Sequence, residues 1–218
     1  MSDWLTWQVV DSAFPTGAFA HSWGLESAWQ HGEIEGAPAL EAFLEASIHQ
    51  AGHASMPLVN AAFDEPGQLE ALDELADAFL INSVANRASR TQGRTLMATA
   101  ACVWPSRALD ALQVRVDATS AHAAPVSGAV FGTLGLTRTA TQRLVLFGAA
   151  RGVLSAAVRL GIVGSYEAQR LQQACAPWLD RVAEECARLT VKDLAQTAPL
   201  IDILQAGHDR LYSRLFQS

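Results

Sequence analysis

The spacing of apolar residues constrains this chain more than any other feature. They recur every three or four residues, the period of an α-helix, and sustained alternation with period two is nearly absent. Leu40, Phe43, Leu44, Ser47, Ile48 and Ala51 fall on one helical face. Leu69, Leu72, Ala76, Phe79, Leu80 and Ser83 make a second stripe. Leu144, Phe147, Gly148, Arg151, Leu154 and Val158 make a third that admits small residues. A fourth runs through Leu171, Cys175, Trp178, Leu179, Val182, Cys186 and Leu189. Only Gln113–Asp117 alternates, and it reads as a helix end or a loop.

Helix punctuation agrees. Ser106, after Pro105, is placed to cap a helix opening at Arg107. Gly32 closes a segment ending at His31. Pro57 should kink or end the second long helix. Gly161 and Gly164 bracket a turn before Ser165, a further candidate N-cap. The alanine-rich, glycine-spotted stretches Gly93–Ala101 and Gly128–Ala157 read as central helices whose backbones approach closely. No Pro/Gly/Ser-rich linker divides the chain. The expectation is all-α: a single helical-bundle domain over residues 1–218, of about eight to ten helices. Residues 199–218 stand apart within it, mixing charge and aromatics after a proline break, either docked on their own domain or serving as a docking segment for another.

Composition narrows the function. A chain of 218 residues can bury roughly 70% of its unfolded surface. Its 50% hydrophobic content argues against disorder. A net charge of −7 argues against nucleic acid, which needs a basic footprint. Lys192 is the only lysine, so arginine supplies the remaining positive charge. Codon bias explains such a pattern, and so does a surface built for partners, because arginine pairs bidentately and is weakly hydrated. Three cysteines, Cys102, Cys175 and Cys186, without CxxC spacing fit a reducing cytoplasm. The start at Met1 has no basic region followed by an apolar run, so no signal peptide is expected. The charge-free stretches Ala46–Phe63 and Ala118–Thr137 carry too many polar residues for a membrane span of about 20 residues.

No catalytic constellation is legible. A phosphate loop needs glycines followed by lysine, and Lys192 has none before it. GxGxxG and GxSxG are both absent. Cys175 and Cys186 sit on an apolar stripe and read as core. Asp73-Glu74 and Glu184-Glu185 are adjacent, point about 100° apart on a helix, and read as solvated faces. His49 and His53 share a helix face and could take zinc or nickel, or they are simply polar histidines near a helix end. His21 and His122 lie in glycine-rich contexts that suit orienting backbone as well as binding. No cofactor is called for.

Two terminal motifs carry a resemblance. Val10-Asp-Ser-Ala-Phe-Pro-Thr-Gly-Ala-Phe-Ala-His-Ser-Trp-Gly-Leu-Glu26 resembles the signature of the UreF family of urease accessory proteins through Pro15, Gly17, Phe19, Ser22, Gly24, Leu25 and Glu26. Ala13 and Phe14 depart from its usual proline or alanine followed by leucine. Gln92-Gly-Arg-Thr-Leu-Met, His122-Ala-Ala-Pro-Val-Ser-Gly and Leu154-Ser-Ala-Ala-Val-Arg-Leu160 resemble further blocks, the second with its glycines displaced. His208-Asp-Arg-Leu-Tyr-Ser-Arg-Leu-Phe-Gln-Ser218 is similar to the family's C-terminal ending. The resemblance implies an all-helical, non-catalytic, dimerising protein of the cytoplasm. Its implied partners are a UreD/UreH-like protein, the UreG GTPase and, through the complex, apo-urease, which receives nickel.

Under that reading Phe19, His21, Ser22 and Glu26 face a partner, while Pro15, Gly17 and Gly24 build the turn. His208, Arg210, Leu211, Tyr212, Arg214, Leu215, Phe216 and Ser218 form the docking tail. Tyr212 and Phe216, spaced i, i+4, would share a helix face as an aromatic anchor. Removing Asp209–Ser218 is then expected to leave the domain folded. A metal-binding enzyme on His49 and His53, or a nickel carrier using His208 or His21, are the rival readings.

Overall fold

The computed structural model describes residues 3–218, so the reading of the chain start at Met1 and Ser2 lies outside them. Among the described residues there is no strand. The α-helices are α1 (Asp3–Val10), α2 (Leu25–Gln30), α3 (Gly36–Gln50), α4 (Met56–Asp64), α5 (Leu69–Phe79) and α6 (Ser83–Val103). They continue with α7 (Arg107–Asp117), α8 (Ala123–Thr133), α9 (Arg138–Arg159), α10 (Ser165–Ala174), α11 (Ala176–Cys186) and α12 (Pro199–Ala206). The all-helical expectation holds. The count exceeds the expected range because two short helices, α2 and α12, carry too few turns to show a period.

Several elements follow directly from local chemistry. The Ser106 side chain accepts from the Leu109 N–H and caps α7, and Gln113–Asp117 is that helix's last turn. Gly32, at φ +78°, follows α2 in the left-handed conformation that ends a helix. The expected N-cap at Ser165 is corrected: Gly164 holds that position without a side-chain cap, and Ser165 is the first helical residue of α10. The fourth stripe bends at Cys175, where α10 stops and Pro177 opens α11.

Pro57 lies in the first turn of α4, and regular α3 ends seven residues before it, at Gln50. A π-helical segment, Ala51–Ser55, carries α3 into α4. The carbonyl of His53, which proline cannot serve at i+4, accepts instead from the Ala195 N–H at 3.3 Å. Gly52 in that segment has Val182 and Cys186 of α11 against it, and a β-carbon there would lie 2.4 Å from Val182 Cγ1.

The centre is α8, packed on α4 and α6. Two glycines permit this. A β-carbon at Gly128 would sit 2.3 Å from the Val59 carbonyl oxygen, and one at Gly93 would sit 2.0 Å from that of Ala121. The close approach expected of these stretches is therefore present. One apolar core joins Leu25, Leu44, Ile48, Leu146, Val153 and Phe216. A second joins Leu96, Met97, Leu112, Val116, Val126 and Val130. Helix α9 supplies residues to both.

Two burial expectations are corrected. On α9 the buried face runs through Leu146, Ala150, Val153, Leu154 and Ala157, not through Phe147, Gly148 and Arg151. So many small residues surround that helix's apolar ones that the stripe can be placed one position off, a rotation of about 100°. Asp73 is not on a solvated face. It is buried, and its carboxylate accepts from the Ser120 N–H at 2.8 Å and the His122 N–H at 2.6 Å. Glu184 and Glu185 are exposed as expected.

Candidate interaction site

The two terminal motifs meet. Ser22 donates from its backbone N–H (2.5 Å) and its hydroxyl (2.9 Å) to the carbonyl of Ser218. His21 Nδ1 lies 2.5 Å from Ser218 Oγ, and the Gln217 N–H donates to the Ala20 carbonyl at 2.8 Å. Glu26, 1% exposed, is the hub. Its Oε1 accepts from the Leu215 N–H at 2.6 Å. Its Oε2 accepts from the Phe216 N–H at 3.1 Å and lies 2.8 Å from His208 Nε2. An acidic side chain this buried needs hydrogen bonds to offset its lost hydration, and here one side chain makes three.

Gly17 and Gly24 have φ +74° and +86°, and Gly24 lets α2 approach the Ile201 carbonyl of α12. The Pro15 carbonyl accepts from Thr99 Oγ1 at 2.8 Å. Arg159 stacks between Phe19 and Phe216, 3.9 and 4.1 Å from their ring centroids.

The geometry divides the expected partner-facing residues. His21, Ser22, Glu26, His208, Phe216 and Ser218 are buried within the chain, where they form an internal clasp. Residues 211–218 are not helical, and Tyr212 and Phe216 do not share a face: Phe216 is in the core while Tyr212 is fully exposed. The spacing was sound for a helix, but Glu26 takes the Leu215 and Phe216 N–H groups that a helix would need. Removing Asp209–Ser218 would take Phe216 out of the core and empty the Glu26 clasp, so a loss of stability is now the expected outcome of that deletion. Phe19, Arg210, Tyr212, Arg214 and Leu215 remain exposed, with Leu211 half-buried. Periodicity missed Leu200 and Ile203, exposed apolar residues of α12 at 73% and 67%. Their signal was an apolar run after Pro199 too short to assign a face. Asp209 is held by Arg87 at 2.9 Å and Arg214 at 3.2 Å.

Three further histidines have partners within the fold. His49 and His53 stack with ring centroids 6.3 Å apart, and His53 Nδ1 lies 3.1 Å from the His49 carbonyl. Among the described residues no third His, Cys, Asp or Glu joins them as a metal-ion site. His122 bridges Asp77 (3.0 Å) and Ser89 (3.1 Å). Burial pushes the Cys186 thiol up to about 11, with Glu185 adding to it, so it stays protonated.

Burial pulls the His21 imidazole down from 6.5 to about 4, with the positive charges of Arg87 and His208 adding to it. A folded-state value below the unfolded one means the unfolded chain takes the proton first. The stability contributed by neutral His21 is therefore intact above pH 6.5 and is lost as pH falls toward about 4, about 3 kcal/mol in all. Urea unfolding at stepped pH is expected to show this slope, and His21→Asn to flatten it. An unchanged slope in the variant would place the titration elsewhere.

The fold and this site define a class: an all-helical protein whose chain ends are clasped by buried polar residues, leaving apolar side chains exposed within residues 199–218. Among the described residues no helix is long and apolar enough to cross a membrane. Comparison with known proteins is more particular. The UreF family profile matches residues 34–176. The chain is 36% identical to "Urease accessory protein F" of Oryza sativa subsp. indica, over 98% of this chain and 84% of that protein. It is 36% identical to the protein of the same name from Arabidopsis thaliana, over 99% and 92%. It is 30% identical to "Urease accessory protein UreF" of Trichodesmium erythraeum, over 96% and 94%. The chain belongs to the UreF family.

Proposed function

We propose that this chain is a urease maturation scaffold, a chaperone that bridges a UreD/UreH-like protein and the UreG GTPase for GTP-dependent nickel insertion into apo-urease. It acts as a single domain and a homodimer in the cytoplasm, catalyses nothing itself, and leaves GTP hydrolysis to the GTPase. Family membership, over nearly the full length of the relatives, carries this reading. The absence of a phosphate loop is consistent with nucleotide chemistry residing on a partner.

The docking element is the outer surface of the clasped tail. Tyr212, Leu215, Leu200 and Ile203 are apolar and exposed, and Arg210 and Arg214 flank them. Interface centres favour this mixture of aromatic, aliphatic and arginine side chains. The test is co-purification with the UreD/UreH-like partner. Tyr212→Ala with Leu215→Ser should weaken the complex by about 2 kcal/mol or more while leaving the melting temperature unchanged. Unchanged affinity would remove the tail surface from the interface. Failure of the wild-type chain to capture either partner would overturn the scaffold reading.

A further inference from the structure

Phe147, Gly148 and Arg151 of α9, which periodicity expected in the core, instead line a half-open cavity of about 530 Å³ bordered by α1 and the loop that follows it. Its size lies within the range of small-molecule sites, roughly 300–1,000 Å³. The walls are largely apolar, with Val9, Phe14, Leu96, Phe131, Leu144 and Phe147 among them.

Charge narrows the occupant. Arg151 is at the wall, and its guanidinium donates to the Val10 carbonyl. Arg159 lies between Phe19 and Phe216, both of which also border the cavity. Among the described residues neither arginine has a carboxylate partner. The one acid at the wall, Asp11, is exposed and already accepts from the Ala13 N–H. A largely apolar cavity with a guanidinium that no carboxylate neutralises suits an apolar anion, because arginine matches a carboxylate in both charge and geometry.

We propose that this cavity binds a small monocarboxylate with an apolar chain, its carboxylate on Arg151 and its chain between Phe14 and Phe147. The site is complete on this chain and is independent of the assembly proposed above. Calorimetric titration of the full chain with octanoate, octan-1-ol and octylammonium tests it. Octanoate should bind once per chain, octanol at least tenfold more weakly, and octylammonium not at all. Arg151→Met should cost octanoate tenfold or more and leave octanol unchanged. Gly148 lines the cavity, and a β-carbon there meets nothing within 4 Å. Gly148→Phe should therefore fill the chamber and abolish both, with an unaltered helical circular dichroism spectrum. No saturable octanoate binding, octylammonium binding as tight as octanoate, or full binding in Gly148→Phe would each overturn the proposal.

Discussion

A Glu26→Ala variant is expected to lose about 3–5 kcal/mol of stability and to free the tail. The substitution leaves the His208 imidazole buried without its carboxylate and strands the Leu215 and Phe216 N–H groups, which now donate to Glu26 at 2.6 and 3.1 Å. Each orphaned buried donor costs about 1–3 kcal/mol on its own. Phe216 would then lose the backbone anchor that seats it in the core. Urea unfolding reads the first effect. Limited proteolysis after Arg210 and Arg214 reads the second, because release opens these sites. Glu26→Gln keeps one acceptor and should lose less. A loss under about 1 kcal/mol in Glu26→Ala would mean that the clasp does not hold the tail.

The second large effect is expected at Gly93. A methyl group there would lie 2.0 Å from the Ala121 carbonyl oxygen and 2.9 Å from its carbon, both backbone atoms. Ala121 itself has φ +63°, so the turn has little freedom to retreat. Gly93→Ala should therefore cost more than about 3 kcal/mol, against the general gain of about 1 kcal/mol when glycine becomes alanine inside a helix. The control is Gly148→Ala on α9, where the added carbon meets nothing and a small gain is expected. Paired thermal melts decide the matter. If the two variants shift in the same direction, the packing of α6 against the 121–122 turn is looser than these distances require.

Much of this was legible in the residues. The stripes on α3 and α5 are dense in leucine and isoleucine, and their faces were read correctly as far as those helices run. On α9 the alanines and glycines blurred the phase, and the face was misplaced. The family blocks were legible as strings before their physical reasons were visible. Gly93 lies in one because a backbone crosses it, and Glu26 and Ser218 lie at opposite ends because they close one clasp. Asp73 shows the reverse failure. Beside Glu74 it reads as surface, and only the return of residues 120–122 onto it makes it a cap.

The sequence by itself determined the helical class, the caps at Ser106 and Gly32, the close-approach glycines and the family. These depend on neighbours within a few turns or on composition, which a linear pattern records. Only the tertiary structure decided which terminal residues face inward. Glu26 and Leu215 are separated by 189 positions, and the hydrogen bond between them removes the Leu215 N–H from any local helix. Whether Phe216 anchors a partner or its own core depends on that long-range competition, and no spacing within residues 208–218 encodes it.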